Sequence, residues 1–172
     1  NSMALRGNLL YKNGKIEKNV SIKGDVSIGK GTIIRSGTYL QGPLSIGENC
    51  DIGPNSVLGS SVSIGANTTV GAFTEIVDSI VMKNSVIGSY CSLKGSVLGE
   101  GNIFGSHCVA IPNNRNIIYL DQEFSLSNRG AMVGDGCRIG SRAILEGGSI
   151  LLNNAAIGEG EFYNAVFQGD SI

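Results

Sequence analysis

The stretch VSIGKGTIIRSGTYLQGPLSIGENCDIGPNSVL, residues 26–58, repeats one arrangement every six residues. An isoleucine or leucine stands at each sixth position, a small or β-branched residue usually stands two positions earlier, and glycine often follows. The same frame extends in both directions, and its eleven aliphatic positions are Ile16, Ile22, Ile28, Ile34, Leu40, Ile46, Ile52, Leu58, Ile64, Val70 and Ile76. Such regularity indicates a structural repeat, which has to be explained before single elements are assigned.

A period of six residues fits neither an α-helix nor a plain alternating strand. It fits a short strand followed by a sharp turn, because positions two apart on a strand face the same side. The large aliphatic residue and the small residue before it would then both point inward. Three such segments close a triangular coil, and coils stack at the strand spacing of about 4.8 Å. The sequence therefore predicts an all-β parallel β-helix with a core of stacked aliphatic side chains.

The repeat has one long interruption. After Ile76 the frame continues with two five-residue steps, through Met82, Ile87, Leu93, Leu98, Phe104 and Ala110, and it resumes at Val133, Ile139, Leu145, Leu151 and Ile157. We expect the intervening residues to loop out, and their segments IIYL and EFSL to pair as a hairpin. The predicted organisation is residues 1–13 as a tag remnant and lead-in, 14–110 as coils, 111–128 as the inserted loop, 129–160 as coils and 161–172 as a C-terminal cap.

Composition excludes several classes of partner. The net charge is −1 and the 13 Lys and Arg residues are scattered, so the chain lacks the basic surface that nucleic acids require. No apolar run approaches the roughly 18 residues needed to cross a bilayer, so a membrane role is not expected either. We predict a cytoplasmic protein. The start Asn1-Ser2-Met3 resembles a cloning scar, which suggests a piece of a longer chain.

The cysteines and glycines are explained by the repeat. The four cysteines each stand two positions before an inward aliphatic residue, without the CxxC spacing of a metal site; they are Cys50, Cys91, Cys108 and Cys137. We predict reduced, buried packing residues, which fits a reducing compartment. The glycines between Gly99 and Gly105 could suggest a phosphate loop, but no helix follows them. No metal site is predicted.

The single histidine, His107, is the candidate catalytic residue. It directly precedes Cys108, so it occupies a corner and its ring should point out of the coil. Because the insertion begins just downstream, we expect Asn113, Asn114 and Arg115 nearby, which would make a ligand pocket with His107 as general base. The alternative is an exposed corner histidine without a chemical role, since the sequence offers no carboxylate fixed to orient the ring.

Three segments carry a resemblance to a known family: GKIEKNVSIKGDVSIGKGTIIRSGTYLQGPLSIGENCDIGPNSVL (14–58), DSIVMKNSVIG (78–88) and GAMVGDGCRIG (130–140). With them, the chain resembles the C-terminal left-handed β-helix domain of archaeal-type bifunctional sugar-1-phosphate nucleotidylyltransferases, which can also carry an amino-sugar acetyltransferase site. The resemblance implies a left-handed coil, unlike the usual right-handed parallel crossover, and a homotrimer with parallel axes. It also implies a missing N-terminal domain that performs nucleotidyl transfer.

The acetyltransferase motifs of that family are altered here. Its His-Leu-Ser-Tyr segment, which supplies the catalytic histidine, aligns with Ser89-Tyr90-Cys91-Ser92 and so places serine at the position of the base. Its Gly-Ala-Gly-Thr turn becomes Gly105-Ser106-His107-Cys108, and its Gly-Arg-Arg-Lys stretch keeps only Arg129. Because His107 lies three coil corners beyond Ser89, we expect it to face a neighbouring groove.

Two hypotheses follow from the resemblance. The first is a trimerising assembly and effector-type domain of a sugar-1-phosphate nucleotidylyltransferase, with a degraded acetyltransferase site. The alternative is an acetyl-CoA-dependent amino-sugar-1-phosphate N-acetyltransferase. In that case His107 is the base, Ser89, Tyr90, Asn113, Asn114 and Arg115 bind the sugar phosphate, and Arg129, Arg138 and Arg142 bind the coenzyme phosphates, although a solvated charged face also explains these arginines. A carbonic anhydrase on this scaffold is excluded, since it needs three histidines around zinc.

Overall fold

The structure, a computed structural model, describes residues 9–11, 14–119 and 122–165. Its strands form three parallel sheets around one axis, and each turn of the chain adds one strand to each sheet. The architecture is the left-handed parallel β-helix that the hexapeptide repeat predicts. Each coil therefore has three faces, which are numbered in chain order, and three corners. No helix in the described ranges is long and apolar enough to span a membrane.

The three faces contain eight strands each. The first face consists of β1 (Leu9–Tyr11), β4 (Val26–Ile28), β7 (Leu44–Ile46), β10 (Val62–Ile64), β13 (Ile80–Val81), β16 (Val97–Leu98), β21 (Met132–Val133) and β24 (Ile150–Leu151). The second consists of β2 (Lys15–Ile16), β5 (Ile33–Ile34), β8 (Asp51–Ile52), β11 (Thr69–Val70), β14 (Val86–Ile87), β17 (Ile103–Phe104), β22 (Arg138–Ile139) and β25 (Ala156–Ile157). The third consists of β3 (Ser21–Lys23), β6 (Tyr39–Gln41), β9 (Val57–Leu58), β12 (Glu75–Val77), β15 (Ser92–Lys94), β18 (Val109–Ile111), β23 (Ile144–Glu146) and β26 (Phe162–Tyr163).

The core is one continuous column of inward-facing side chains. Large aliphatic residues such as Ile34, Leu40 and Ile52 are fully buried, and each contributes about 1.5–3 kcal/mol through the apolar surface it removes from water. The smaller residues two positions earlier are buried as well, including Leu44, the one large residue in that slot. Both predictions about the inward positions are thus confirmed.

The small-residue slot has a second role, because its side chains hydrogen-bond to the neighbouring coil. The Ser56 hydroxyl donates to the carbonyl of Gly71 at 2.8 Å, and that of Thr32 donates to Gly47 at 2.7 Å. The Cys50 thiol makes the equivalent contact with the carbonyl of Gly65 at 3.2 Å. Cysteine, serine and threonine are therefore interchangeable in this slot as small residues with a donor.

The predicted frame is wrong at one position. Met82 was expected to face inward, but it is 42% exposed, whereas Val81 is 1% exposed and fills the column. The five-residue step begins one residue earlier than expected, because the corner of this coil contains only Asp78 between Val77 and the inward Ser79. The later short step, from Leu93 to Leu98, occurs at the same corner one coil further on.

The insertion leaves the third corner, between the third and first faces. Ile111 still pairs with Glu146 in the third face, so the excursion comprises residues 112–129 rather than 111–128. Within it β19 (Asn113–Tyr119) and β20 (Gln122–Arg129) pair antiparallel, and Ile117 lies opposite Phe124. This is the hairpin that the segments IIYL and EFSL predict.

The ends of the chain are described only in part. β1 adds a first-face strand inside the predicted lead-in, since Leu9 pairs with Val26, whereas residues 1–8, 12 and 13 lie outside the described ranges. β26 pairs with β23 and continues the third face within the predicted C-terminal cap. Residues 166–172 of that cap lie outside the described ranges.

Candidate functional site

The second corner, between the second and third faces, carries three ring-bearing residues. Phe73, Tyr90 and His107 all adopt left-handed backbone conformations, with φ of 57°, 60° and 63°. Bulky residues rarely occupy this region. Earlier coils place glycine or asparagine here, as at Gly37 and Asn55, and the coil after His107 places Arg142, with φ of 63°. The repeat requires this conformation at the corner, and it directs the three side chains outward in line.

The three rings form a ladder parallel to the β-helix axis. The rings of Phe73 and Tyr90 have centroids 5.0 Å apart and are inclined by 11°, and those of Tyr90 and His107 are 4.9 Å apart and inclined by 10°. These distances match the spacing of successive coils. Phe73 and Tyr90 are 51% and 52% exposed, so the edges of the rings face solvent while their faces pack on one another.

His107 is exposed, as predicted. Its backbone N–H donates to the carbonyl of Ser89 at 2.9 Å, which fixes the main chain of the corner. Across the described residues no carboxylate or amide side chain bonds to the imidazole. The ring is therefore positioned by stacking on Tyr90, and a proton acceptor here would have to act without a carboxylate behind it.

The expectation that His107 faces a different groove from Ser89 is wrong. Three corners make one complete coil, so His107 returns to the corner of Ser89 and Tyr90 and lies directly beside them in the next coil. The corner that the family resemblance assigns to the catalytic histidine thus does hold an imidazole. It is displaced by one coil along the axis.

The predicted partners of His107 lie at a different corner. His107 precedes β18 and Asn113 follows it, so the two residues stand at opposite ends of this strand. The Asn113 side chain donates to Glu146 at 3.3 Å, and the Asn114 side chain accepts from the backbone N–H of Asn128 at 2.7 Å. These amides fix the base of the hairpin. Arg115 belongs to β19, and its side chain lies outside what the structure describes.

The three arginines proposed for the coenzyme phosphates are also apart within one chain. Arg129 ends β20 at the third corner, and Arg138 opens β22 on the second face. Arg142 lies at the second corner, where its guanidinium is 3.6 Å from the Glu159 carboxylate. One chain alone therefore does not gather them into a single cationic site.

The cysteines are structural. All four are buried and free, as predicted. The thiols of Cys91 and Cys108 lie in successive coils, and their mutual interaction, together with burial, raises the pKa of Cys91, while the same interaction lowers the pKa of Cys108. Burial likewise raises the pKa of Cys50. All four thiols are enclosed in the core and hydrogen-bond to main-chain carbonyls of the neighbouring coil, so they serve as packing residues. In the described chain no three His, Cys, Asp or Glu side chains could together hold a metal ion.

Sequence reasoning missed a cleft at the third corner. It has a volume of about 440 Å³ and lies between the first face and the base of the hairpin, with Asp78, Ile80, Val97 and Arg129 among its lining residues. Of these lining residues, the sequence indicates only Arg129 as a candidate site residue. A signal was present, because Gly95 and Gly130 stand at the same place in successive coils on either side of the insertion, where a main-chain segment has to pass closely.

The comparisons with known proteins agree with this fold. A model of the GMPPB C-terminal domain family matches residues 40–115. No curated protein matches the chain. Among solved structures it is similar to a Bacillus cereus protein assigned as an acetyltransferase, with 16% identity over 86% of this chain and 76% of that chain and a TM-score of 0.57.

A second similar structure is that of AntD, an N-acyltransferase from Bacillus cereus in complex with dTDP and coenzyme A. The identity is 19%, over 71% of this chain and 85% of that chain, with a TM-score of 0.53. At such identities the likeness establishes the fold. The chain is a left-handed β-helix protein of the hexapeptide-repeat class, the architecture that these acyltransferases share. More particularly, its central coils are similar to the GMPPB C-terminal domain.

Proposed function

We propose that this chain is the trimerising C-terminal β-helix domain of a sugar-1-phosphate nucleotidylyltransferase of the archaeal bifunctional type. The match of residues 40–115 to the GMPPB C-terminal domain carries this proposal. In this function the solenoid is a rigid scaffold, and a separate domain performs nucleotidyl transfer. This function does not require the β-helix domain to catalyse acetyl transfer.

An exposed apolar surface supports assembly with further copies. Phe73 and Tyr90 at the second corner and Val86 and Ile103 on the adjoining second face form an apolar ridge, and all four are exposed large hydrophobic residues. Val86 and Ile103 pair in neighbouring strands, so the ridge is continuous over successive coils. Contiguous exposed apolar surface on a soluble domain is typical of an interface.

Light scattering on the purified chain tests the proposal. We expect a trimer at micromolar concentration, and Ile103→Arg should convert it to monomers, because the interface would bury an unpaired charge. Leu152→Arg is the matched control, since Leu152 is an exposed apolar residue at another corner. A monomeric parent chain, or an Ile103→Arg variant that stays trimeric, would contradict the proposal.

The position of His107 supports a second candidate, an acetyl-CoA-dependent N-acetyltransferase acting on an amino-sugar 1-phosphate. Its imidazole is exposed at the corner that the family resemblance assigns to the catalytic base. His107 would take the proton from the substrate amine as the nitrogen attacks the thioester carbonyl and the coenzyme thiolate leaves. Because Asn113 and Asn114 stand at the other end of β18, a site containing them as well would lie in a groove between two copies.

An assay with acetyl-CoA and glucosamine 1-phosphate or galactosamine 1-phosphate tests this candidate. We expect the parent chain to consume acetyl-CoA only when the amine is present, and His107→Phe to abolish the reaction while keeping the ring ladder. Full acetylation by His107→Phe or His107→Ala would exclude His107 as the base. The absence of any turnover would leave the assembly function as the one supported.

A further inference from the structure

The cleft at the third corner has an apolar floor with polar groups at its rim. The floor is formed by Ile80 and Val97, which are exposed and pair across neighbouring strands. Its volume of about 440 Å³ is in the range of small-molecule sites. The hairpin supplies one wall through Ser127, Asn128 and Arg129.

Two opposite charges line this cleft without neutralising each other. Asp78 and Arg129 are both exposed, and neither has an ion-pair partner within the part of the chain that the structure describes. Gly95 separates them. Its N–H donates to the carbonyl of Val77, and its own carbonyl accepts from Gly130, so it occupies the coil between the two charges. Two coil spacings place the main chains of Asp78 and Arg129 about 10 Å apart along the axis.

The close approach of the hairpin base to this corner requires a glycine at residue 95. A Cβ atom at Gly95 would lie 2.9 Å from the carbonyl oxygen of Asn128, and the residue has a φ of +60°. The hairpin base therefore lies directly against the corner. Two hydrogen bonds hold it there. The Gly130 N–H donates to the Gly95 carbonyl at 2.9 Å, and the Ala131 N–H donates to the Ser96 hydroxyl oxygen at 3.1 Å. The wall that carries Arg129 is thus fixed before any ligand arrives.

We propose that this cleft binds a small zwitterion, with a cationic amine at the Asp78 carboxylate and a phosphate or carboxylate at the Arg129 guanidinium. The body of the ligand lies over Gly95 and covers the apolar floor of Ile80 and Val97. A guanidinium binds phosphate and carboxylate groups through paired hydrogen bonds. A ligand with only an anionic group would be repelled by Asp78, and one with only cationic groups would be repelled by Arg129.

This binding site goes beyond the assembly function and does not involve His107, which lies at the second corner. Two kinds of ligand carry both charged groups: a cyclic amino-sugar phosphate and an acyclic amine that carries a phosphate. Both carry an amine and a phosphate on a short scaffold, and the cleft volume of about 440 Å³ accommodates either one. The probes therefore have to include both.

Isothermal titration calorimetry on the purified chain provides the test. Glucosamine 1-phosphate and O-phosphoethanolamine are the zwitterionic probes, and N-acetylglucosamine 1-phosphate and glucosamine each keep only one of the two charges. We expect at least one zwitterion to bind at millimolar concentration or below, and the single-charge compounds to bind about tenfold more weakly or worse, which corresponds to about 1.4 kcal/mol. The zwitterion that binds identifies the cyclic or the acyclic source.

Variants assign the binding to this cleft. Asp78→Asn and Arg129→Gln should each weaken binding about tenfold, whereas Asp25→Asn and Lys18→Gln should leave it unchanged. Asp25 is an exposed acid at the same corner three coils earlier, and Lys18 is an exposed cation near the start of the coils. Three results would overturn the proposal: no heat with either zwitterion, equal binding of N-acetylglucosamine 1-phosphate, or undiminished binding by Arg129→Gln. Light scattering and acetyl-CoA consumption on the same variants keep these outcomes separate from the proposed functions.

Discussion

The imidazole ring of His107 stacks on the phenol ring of Tyr90, with centroids 4.9 Å apart and planes inclined by 10°. The two residues occupy the same corner of successive coils, and Phe73 continues the ladder one coil earlier. An exposed histidine that appears isolated in the sequence is therefore held by its neighbours in adjacent coils. This contact gives His107 a structural role that can be separated from any chemical one.

The first prediction concerns that structural role. His107→Asn should lower the free energy of unfolding by about 1 kcal/mol, because a stacked ring pair is lost while asparagine tolerates the left-handed corner. His107→Phe should retain most of the stability. Denaturant unfolding of both variants measures the difference. Equal stability of His107→Asn and the parent chain would show that the ladder is energetically neutral.

The second prediction concerns the small-residue slot. Cys108 is fully buried, and its thiol lies 3.1 Å from the carbonyl of Gly140. Cys108→Ser should change the unfolding free energy by less than about 1 kcal/mol, since a hydroxyl makes the same bond in other coils. Cys108→Leu should destabilise by about 1–3 kcal/mol, because Cys108 is fully buried and a larger side chain at this position would displace its packed neighbours. Thermal unfolding of both variants measures the difference. A Cys108→Leu variant as stable as the parent chain would contradict the packing argument.

The third prediction concerns thiol reactivity and alkaline pH. The pKa of Cys91 is raised by its contact with Cys108 and by burial, so the native thiol stays protonated where an unfolded one ionises. The resulting stability is fully present below the unfolded pKa of about 8.5 and decreases as the pH rises above it. We expect slow labelling of the native chain by a thiol reagent at pH 8 and labelling of all four cysteines in denaturant. Rapid native labelling would show that the coils open locally.

The fourth prediction concerns an ion pair in the early coils. The Arg35 guanidinium donates to the Asp51 carboxylate, with Nε to Oδ1 at 2.7 Å, and this hydrogen bond lowers the pKa of Asp51. The stabilisation is therefore present above the unfolded pKa of about 3.9 and lost as the pH falls through the folded value. Asp51→Asn should lower the unfolding free energy by at most about 1 kcal/mol at pH 7, because the pair is partly exposed and solvent screens it.

The difference in unfolding free energy between the parent chain and Asp51→Asn should vanish at a pH low enough to protonate Asp51 in the folded chain. Unfolding curves at pH 7 and at a pH below the folded pKa of Asp51 provide the measurement. Lys83→Gln serves as a control, since Lys83 makes an exposed contact of 3.4 Å with Glu100 elsewhere in the chain. A pH-independent difference would show that Asp51 acts through packing rather than through charge.

The fifth prediction concerns the hairpin. Deletion of residues 112–129 joins Ile111 to Gly130 and reproduces the Lys94-Gly95 junction of the preceding coil. Because Ile111 already pairs with Glu146 across the insertion, the deleted chain should fold into the same solenoid with a similar melting temperature. It should also lose the zwitterion binding proposed for the third corner. A deletion variant that fails to fold would show that the hairpin is part of the core rather than an addition to it.

Most of the fold is readable from the sequence. The six-residue period defines which residues face inward, since side chains two apart share a face, and the burial of the aliphatic column and of the four cysteines follows. The hairpin was also predictable, because two apolar segments stand inside an interruption of the repeat. The error at Met82 is local, and it arose because Met82 and Val81 are both apolar and a five-residue step can begin at either one.

The candidate sites were less readable. The repeat predicts that a residue lies at a corner, but the stacking of coils decides which corner residues become neighbours in space. His107 was expected to be apart from Ser89 and close to Asn113, and the structure has the opposite arrangement. The reason is that three corners close one turn, so a full coil brings residues together while a single strand keeps them apart.

Sequence alone determined the architecture of this protein, because the preference of alternate side chains for an apolar interior is repeated locally in every coil. Tertiary structure alone decided the ring ladder and the cleft. Asp78 and Arg129 come to the same corner only because an insertion separates two coils in the sequence and leaves them adjacent in space. The six-residue period does not reveal such a juxtaposition, because it depends on how many residues each corner and each insertion contain.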